Sequence, residues 1–139
     1  IYGDPGVMRF VGEPPFPELA TVSQMLASVE RLLAVGESLE WGLVLRESGH
    51  LIGTCGLHSF VADPVQAGLP QAEVGCMLAR SHWGQGLMFE ALSAVTGYAG
   101  ELGIRTLLAD IEPDNLPSQR LFRRLDFVWQ QGTLYRLER

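Results

Sequence analysis

The 139-residue chain is poor in basic side chains, in cysteine and in long apolar runs, and each shortage argues against a class of function. Ten Lys and Arg stand against 16 Asp and Glu, a formal charge of −6. That balance speaks against a nucleic-acid partner, because phosphate affinity comes from clustered basic groups, and it suits a basic or cationic partner better. The two cysteines, Cys55 and Cys76, are far apart in sequence, form no CxxC pair and lie inside apolar stretches. Buried free thiols in a reducing compartment are expected rather than a disulfide. His50, His58 and His82 have no ligand spacing with one another or with cysteine, so no metal is expected. No apolar run approaches the roughly 20 residues of a membrane-spanning helix, and the start lacks the basic-then-apolar order of a secretory signal. The chain therefore reads as cytoplasmic, with no membrane partner.

What is present fits a single domain over residues 1–139, since 47% hydrophobic content at this length buries one core. Asp4-Pro5, a polar cap followed by proline, predicts a short helix with Val7, Met8 and Phe10 on its apolar side. Thr21 to Gln24 reads as a capping box, and Met25, Leu26, Val29, Leu32 and Leu33 follow at helical spacing, which predicts a helix from Val22 to Val35 closed by Gly36. Trp41–Arg46 and Leu51–His58 read as antiparallel strands around a turn at Gly49. Phe60 to Pro70, with its prolines, Asp63 and Gly68, reads as a surface loop.

Ala72–Ala79 reads as a largely apolar strand. Leu87, Ala91, Val95 and Leu102, with Met88, Leu92 and Ala99 beside them, mark a helix that Gly103 closes. Thr106–Glu112 is a further strand, Pro117–Leu125 a short helix, and Phe127–Gln130 with Thr133–Leu137 a closing hairpin. Strands in hairpin order followed by strand, helix and strand predict an α+β fold with helices on the faces of a mixed sheet. So much helical cover also predicts an N-terminal strand outside the given sequence, because Ile1 starts almost on the first helix.

The chemistry concentrates where the Ala72–Ala79 strand delivers Gly84 and Gly86 to a helix start. Unpaired N–H groups and the helix dipole attract phosphate there, and glycine removes the Cβ that would hold an anion off. A tight turn needing positive φ would use the same glycines, so this feature alone does not choose. A dinucleotide fingerprint would need a third glycine at Phe89, and a Walker loop needs Gly-Lys-Ser/Thr; neither is present.

Glu73-Val74-Gly75-Cys76-Met77-Leu78, His82-Trp83-Gly84-Gln85-Gly86-Leu87 and Glu90-Ala91-Leu92 together resemble the cofactor core of the GNAT superfamily of N-acetyltransferases. The nearest resemblance is to its RimJ and RimL subgroup, which acetylates ribosomal-protein N-termini. Asp4–Phe10, Leu51–Leu57 and the run from Asn115 through Ser118 to Phe127 extend it over nearly the whole chain. The resemblance implies a mixed, mostly antiparallel sheet with a splayed central strand pair and flanking helices, the family's first strand being missing here. It also implies acetyl-CoA as cosubstrate, no metal, and a monomer or homodimer. The acceptor would be an amine, on a protein N-terminus or on a small molecule such as a polyamine or aminoglycoside.

By position, the pantetheine arm would lie between the strands matching Glu73–Ala79 and Thr106–Glu112, like an added strand, against backbone groups of Met77, Leu78 and Ala79. The pyrophosphate would meet the backbone of Gly84, Gln85, Gly86, Leu87 and Met88, with Trp83 flanking the loop. Asn115 and Ser118 match positions beside the cofactor arm.

An amine attacks a thioester only when neutral. An α-amine of pKa near 7.8 loses roughly 1 kcal/mol to protonation at about pH 7, whereas a lysine near 10.4 loses roughly 4.6 kcal/mol. An N-terminal amine thus needs only a modest base, and Glu73 matches the carboxylate given that role in RimL-like enzymes. Where many relatives carry a tyrosine that protonates the thiolate, this chain has Phe122, which keeps a non-catalytic coenzyme A-binding module open as an alternative. Ser118 matches the serine that replaces the tyrosine in RimL-like proteins, as proton donor or cofactor contact. Asp110 and Glu112 share one face at period two and, with His58, are candidates for holding a cationic acceptor. Arg120, Arg123 and Arg124 read either as a solvated face or as the source of one side chain for the cofactor's adenosine phosphate.

Overall fold

Asp4 starts the first helix, α1 (Pro5–Met8), its carboxylate accepting from the Gly6 N–H at 2.8 Å in a computed structural model that describes residues 1–11, 13–63 and 70–138. The second helix, α2, spans Leu19–Ala34 and so starts ahead of the expected capping box. Its cap position is Glu18, which makes no side-chain bond, and Thr21 to Gln24 fall inside the first turns. Pro17 sets the start: the residue before a proline avoids helical ψ, and nothing after it stops the helix.

β1 (Leu39–Val44) and β2 (Leu51–Ala62) pair antiparallel around a turn in which Gly49 holds φ 72°. β3 (Pro70–Leu78) pairs antiparallel with β2. The two ends of the expected loop, Phe60–Ala62 and Pro70, are strand instead, because β2 continues to Ala62 past a bulge at Ser59; residues 64–69, Gly68 among them, lie outside the described residues. α3 (Leu87–Glu101) is the crossover to β4 (Thr106–Asp110), which lies parallel to β3, as a parallel neighbour requires. α4 (Leu116–Arg124), β5 (Val128–Gln131) and β6 (Leu134–Glu138) complete the chain. β4 is two residues shorter than expected, though the Ile111 N–H still donates to the Thr133 carbonyl at 2.8 Å. The sheet order is β1-β2-β3-β4-β6-β5, so the expected α+β architecture is the one observed.

The core lies on one side of this sheet. Leu57, Leu92 and Leu107 are fully buried there with Val95, Ala99 and Phe122. Each such leucine contributes roughly 1.5–3 kcal/mol by burial. α3 turns Met88, Leu92, Val95 and Ala99 inward, whereas Leu102 is exposed, because the helix ends at Glu101 and Gly103 (φ 82°) turns the chain away. Cys55 and Cys76, distant in sequence, are direct partners across the β2–β3 ladder, and both are free. Cys55 is fully buried and Cys76 half-buried. Burial pushes the Cys55 thiol up to about 11 and the Cys76 thiol up to about 12, with nearby Glu40 adding to both.

Candidate active site

β3 and β4 pair at three positions only: Gln71 with Thr106, Ala72 with Leu107 and Glu73 with Leu108. Beyond Glu73 the two strands part, although β3 continues to Leu78 and β4 to Asp110. That edge of Val74–Leu78 has no strand partner among the described residues, so its backbone N–H and C=O groups are open to an extended ligand. A cleft of about 1020 Å³ fills the gap.

The other end of the seam is locked. Thr106 Oγ1 and Arg136 Nη2 both donate to Asp63 Oδ2, the arginine at 2.6 Å, and Asp63 is only 1% exposed. These bonds tie the end of β2 to β4 and β6, and within β6 Arg136 also pairs with Glu138 at 2.8 Å. Asp63 was expected in a surface loop. Its burial follows from partners at positions 106 and 136, which satisfy a carboxylate that could not otherwise leave water.

At the open end, β3 runs through a short 3-10 turn, Arg80–His82, into the glycine loop. The Trp83 indole donates to the Leu78 carbonyl at 2.8 Å, pinning the loop back on the strand. Gly84 (φ 73°) and Gly86 (φ 75°) are both left-handed, and Gly86 is the cap position of α3 without any side-chain cap. Intrahelical bonding begins with the Glu90 N–H on the Gly86 carbonyl at 3.1 Å, so the first-turn amides ahead of it are free to meet an anion. A Cβ at either glycine would meet nothing within 4 Å, so conformation rather than crowding requires glycine there.

Across the cleft, the Asn115 side chain accepts from the Ser118 N–H at 3.3 Å and caps α4. Asn115 and Ser118 both line the cleft. Phe122 lines it too but belongs to the core, 3% exposed and edge-on to Phe127 at 5.0 Å. Asp110 and Glu112 are exposed along the β4 wall with Ile111 buried between them, as their alternation predicts. α1 supplies Gly6, Val7 and, just after it, Phe10, and it is tied to the glycine-loop side by the Asp4–Arg80 ion pair. That bond holds the Asp4 carboxyl below its ordinary range.

A strand gap leading to an uncapped helix N-terminus behind left-handed glycines is one half of a known architecture, and sequence comparison supplies the rest. Residues 1–128 match the family model for the acetyltransferase (GNAT) domain. The chain belongs to the GNAT acetyltransferases. It is 28% identical over 127 residues to the uncharacterized N-acetyltransferase p20 of Bacillus licheniformis, covering 91% of this chain and 68% of that protein. In fold it is similar to Mycobacterium smegmatis RimJ in complex with CoA-disulfide (TM-score 0.75, 16% identity, 86% of this chain and 61% of that one). It is likewise similar to spermidine N-acetyltransferase from Vibrio cholerae in complex with CoA and spermine (TM-score 0.76, 14% identity, 97% and 82%).

Within this GNAT fold the cleft brings together Glu73, Met77, Leu78, Trp83 to Met88, Asn115 and Ser118, with His58, Asp110 and Glu112. Ala79 stands apart. Its N–H donates to the Ile52 carbonyl at 2.7 Å, and its side chain faces a smaller pocket beside Asp4 and Arg80. Of the three arginines of α4, Arg120 and Arg124 line the cleft, Arg124 over the Phe89 ring at 4.2 Å, while Arg123 turns to Tyr135. Two functional-looking groups had no sequence signal. Glu40 Oε2 stands 3.1 Å from His58 Nε2 as an ion-pair partner, and Asp63 locks the seam; both contacts depend on strand register, which local patterning does not reveal. Among the described residues no group of His, Cys, Asp and Glu is arranged to hold a metal, and no helix is long and apolar enough to cross a membrane.

Proposed function

We propose that this GNAT enzyme transfers the acetyl group of acetyl-CoA directly to a primary amine within a ternary complex. The observation that carries this reading is the position of Glu73. It is the last residue of β3 paired to β4, so it stands at the vertex of the cleft, between the glycine loop and the wall bearing Asp110 and Glu112. The backbone of Gly84 to Met88 binds the pyrophosphate, the free edge of β3 at Met77 and Leu78 holds the pantetheine arm, and Asn115 orients it. Glu73 takes the proton of the acceptor amine, and Ser118 supplies one to the departing sulfur. Both thiols are held protonated by burial, which supports direct transfer over an acetyl-cysteine intermediate.

For the acceptor we infer a protein N-terminal α-amine first, since its low pKa suits a single carboxylate base, and a polyamine second, since acidic groups gather around the vertex. All ten basic residues of the chain are arginine, so it carries no lysine amine of its own to consume acetyl-CoA. The reading is tested by thiol release from acetyl-CoA with Ser- and Ala-started peptides, spermidine and an aminoglycoside. Turnover with one class and a fall of at least about 100-fold in Glu73→Gln are expected. Failure of the parent to bind coenzyme A by calorimetry overturns the reading outright.

A further inference from the structure

β1, β2 and β3 place three titratable side chains next to one another on the face of the sheet opposite the core. Glu40 is registered with Gly56, and His58, two residues on and so on the same face, is registered with Glu73. His58 and Glu73 line the cleft, while Glu40 stands behind them, its side chain 19% exposed against 38% for His58. The pair lies across a glycine. A Cβ at Gly56 would come within 2.1 Å of Glu40 Oε2 and 2.7 Å of His58 Nε2, so any other residue there would push the two apart. Gly75, opposite Gly56, leaves the imidazole open on its other side, where a Cβ would stand 3.6 Å from Nε2.

The backbone is also bent at this point. Pairing between β2 and β3 shifts register between His58 and Val61, and Ser59 adopts φ 54°, a conformation that residues with side chains seldom take. Bulges of this kind re-aim the side chain beside them and recur next to active sites.

We propose that Glu40 is a positioning residue for acetyl transfer: its carboxylate, 3.1 Å from His58 Nε2, favours the tautomer whose free lone pair is on Nδ1, and that nitrogen relays the acceptor's proton away from Glu73. The inference rests on the assignment of Glu73 as base. As the amine nitrogen bonds to the acetyl carbon, the carbon–sulfur bond breaks. An ammonium acceptor sheds two protons in all, one ending on the coenzyme A sulfur and one in solvent. The proton bound for solvent passes from Glu73 to Nδ1, and the resulting imidazolium is balanced by Glu40. Glu40 from β1 stands beside His58 and Glu73 from β3 is registered with it, Asp110 and Glu112 line the same cleft, and Tyr2, from the segment before α1, lies within the influence of Glu40. Tyr2 shares a hydrogen bond of 2.8 Å with Thr54 Oγ1, and burial with some help from Glu40 raises its phenol above the ordinary value.

The first test needs no acceptor. The 15N shifts of the two His58 ring nitrogens, which distinguish the neutral tautomers, are compared in the parent and in Glu40→Gln, where the bias toward the Nε2–H form is expected to weaken. The second measures thiol release from acetyl-CoA with an amine that the parent accepts. In Glu40→Gln, kcat falls by at least about tenfold while KM for acetyl-CoA stays fixed. The double variant with His58→Asn is no slower than His58→Asn alone, because Glu40 acts through His58. A His58 tautomer balance that does not respond to Glu40→Gln, or losses that multiply in the double variant, overturns the proposal. Parental turnover in Glu73→Gln overturns the base assignment instead, and is distinguished by a His58 tautomer balance that still responds to Glu40→Gln.

Discussion

The seam between β3 and β4 is built in two opposite ways over a few residues. From Gln71 to Glu73 it is a closed parallel ladder, backed by a buried carboxylate that holds Thr106 and Arg136. From Val74 onward it is open, walled by free backbone, left-handed glycines and an uncapped helix start. A parallel ladder gains by continuing along its length, so a gap this wide persists only if other contacts fix the strands on either side. Charge and burial do this at one end, and backbone conformation shapes the other. The two ends should therefore fail differently when perturbed, one in stability and one in binding.

The largest effect is expected at the closed end. Asp63→Ala leaves the Arg136 guanidinium, 12% exposed, without its buried partner and should destabilise the fold by about 3–5 kcal/mol, read from chemical unfolding. Equal stability in this variant would mean that the ladder alone closes the seam. At the open end, Gly86→Ala forces a side chain into the left-handed region at a cost of about 1–2 kcal/mol. A rise of about tenfold in KM for acetyl-CoA is expected, with little change in KM for the acceptor. A comparable rise for both substrates would dissolve the distinction between donor and acceptor sides.

The cysteine pair gives a smaller effect with a defined pH window. Burial raises the folded thiols to about 11 and about 12 from an ordinary 9.0, so above pH 9 the unfolded chain releases protons that the folded one retains. Stability is therefore full below pH 9 and declines as pH rises toward 11 and 12. Cys76→Ala should flatten that decline, measured as the denaturation midpoint against pH. The smallest change is expected from Asp4→Asn. It breaks an exposed ion pair to Arg80, so the unfolding midpoint should not move, while the acceptor KM rises a few-fold because α1 forms part of the cleft wall.

The open end was legible in the sequence and the closed end was not. Gly84 and Gly86 are demanded by local backbone conformation, and a local demand leaves a local trace. Glu73 could be placed because the strand that carries it leads directly into that loop. Asp63 left no trace, since what buries it arrives from Thr106 and Arg136, and its setting among turn-forming residues pointed to the surface. Glu40 was missed for a related reason: its contact with His58 is diagonal across two strands, and only the register decides whether they meet. The capping box at Thr21 shows the converse error, a valid local signal overridden because Pro17 lets the helix begin earlier.

The indole of Trp83 adds a practical consequence. It is 48% exposed, lies in the cleft lining and is anchored by its N–H to the strand beneath the loop. Trp41 is packed edge-on against Tyr98 and Trp129 is bonded to the Gly132 carbonyl, both outside that lining. The enzyme thus carries an intrinsic fluorophore in the cleft lining over a steady background from two others. A change in its emission on adding coenzyme A would be a label-free test of the proposed donor site, usable while the acceptor is still being sought.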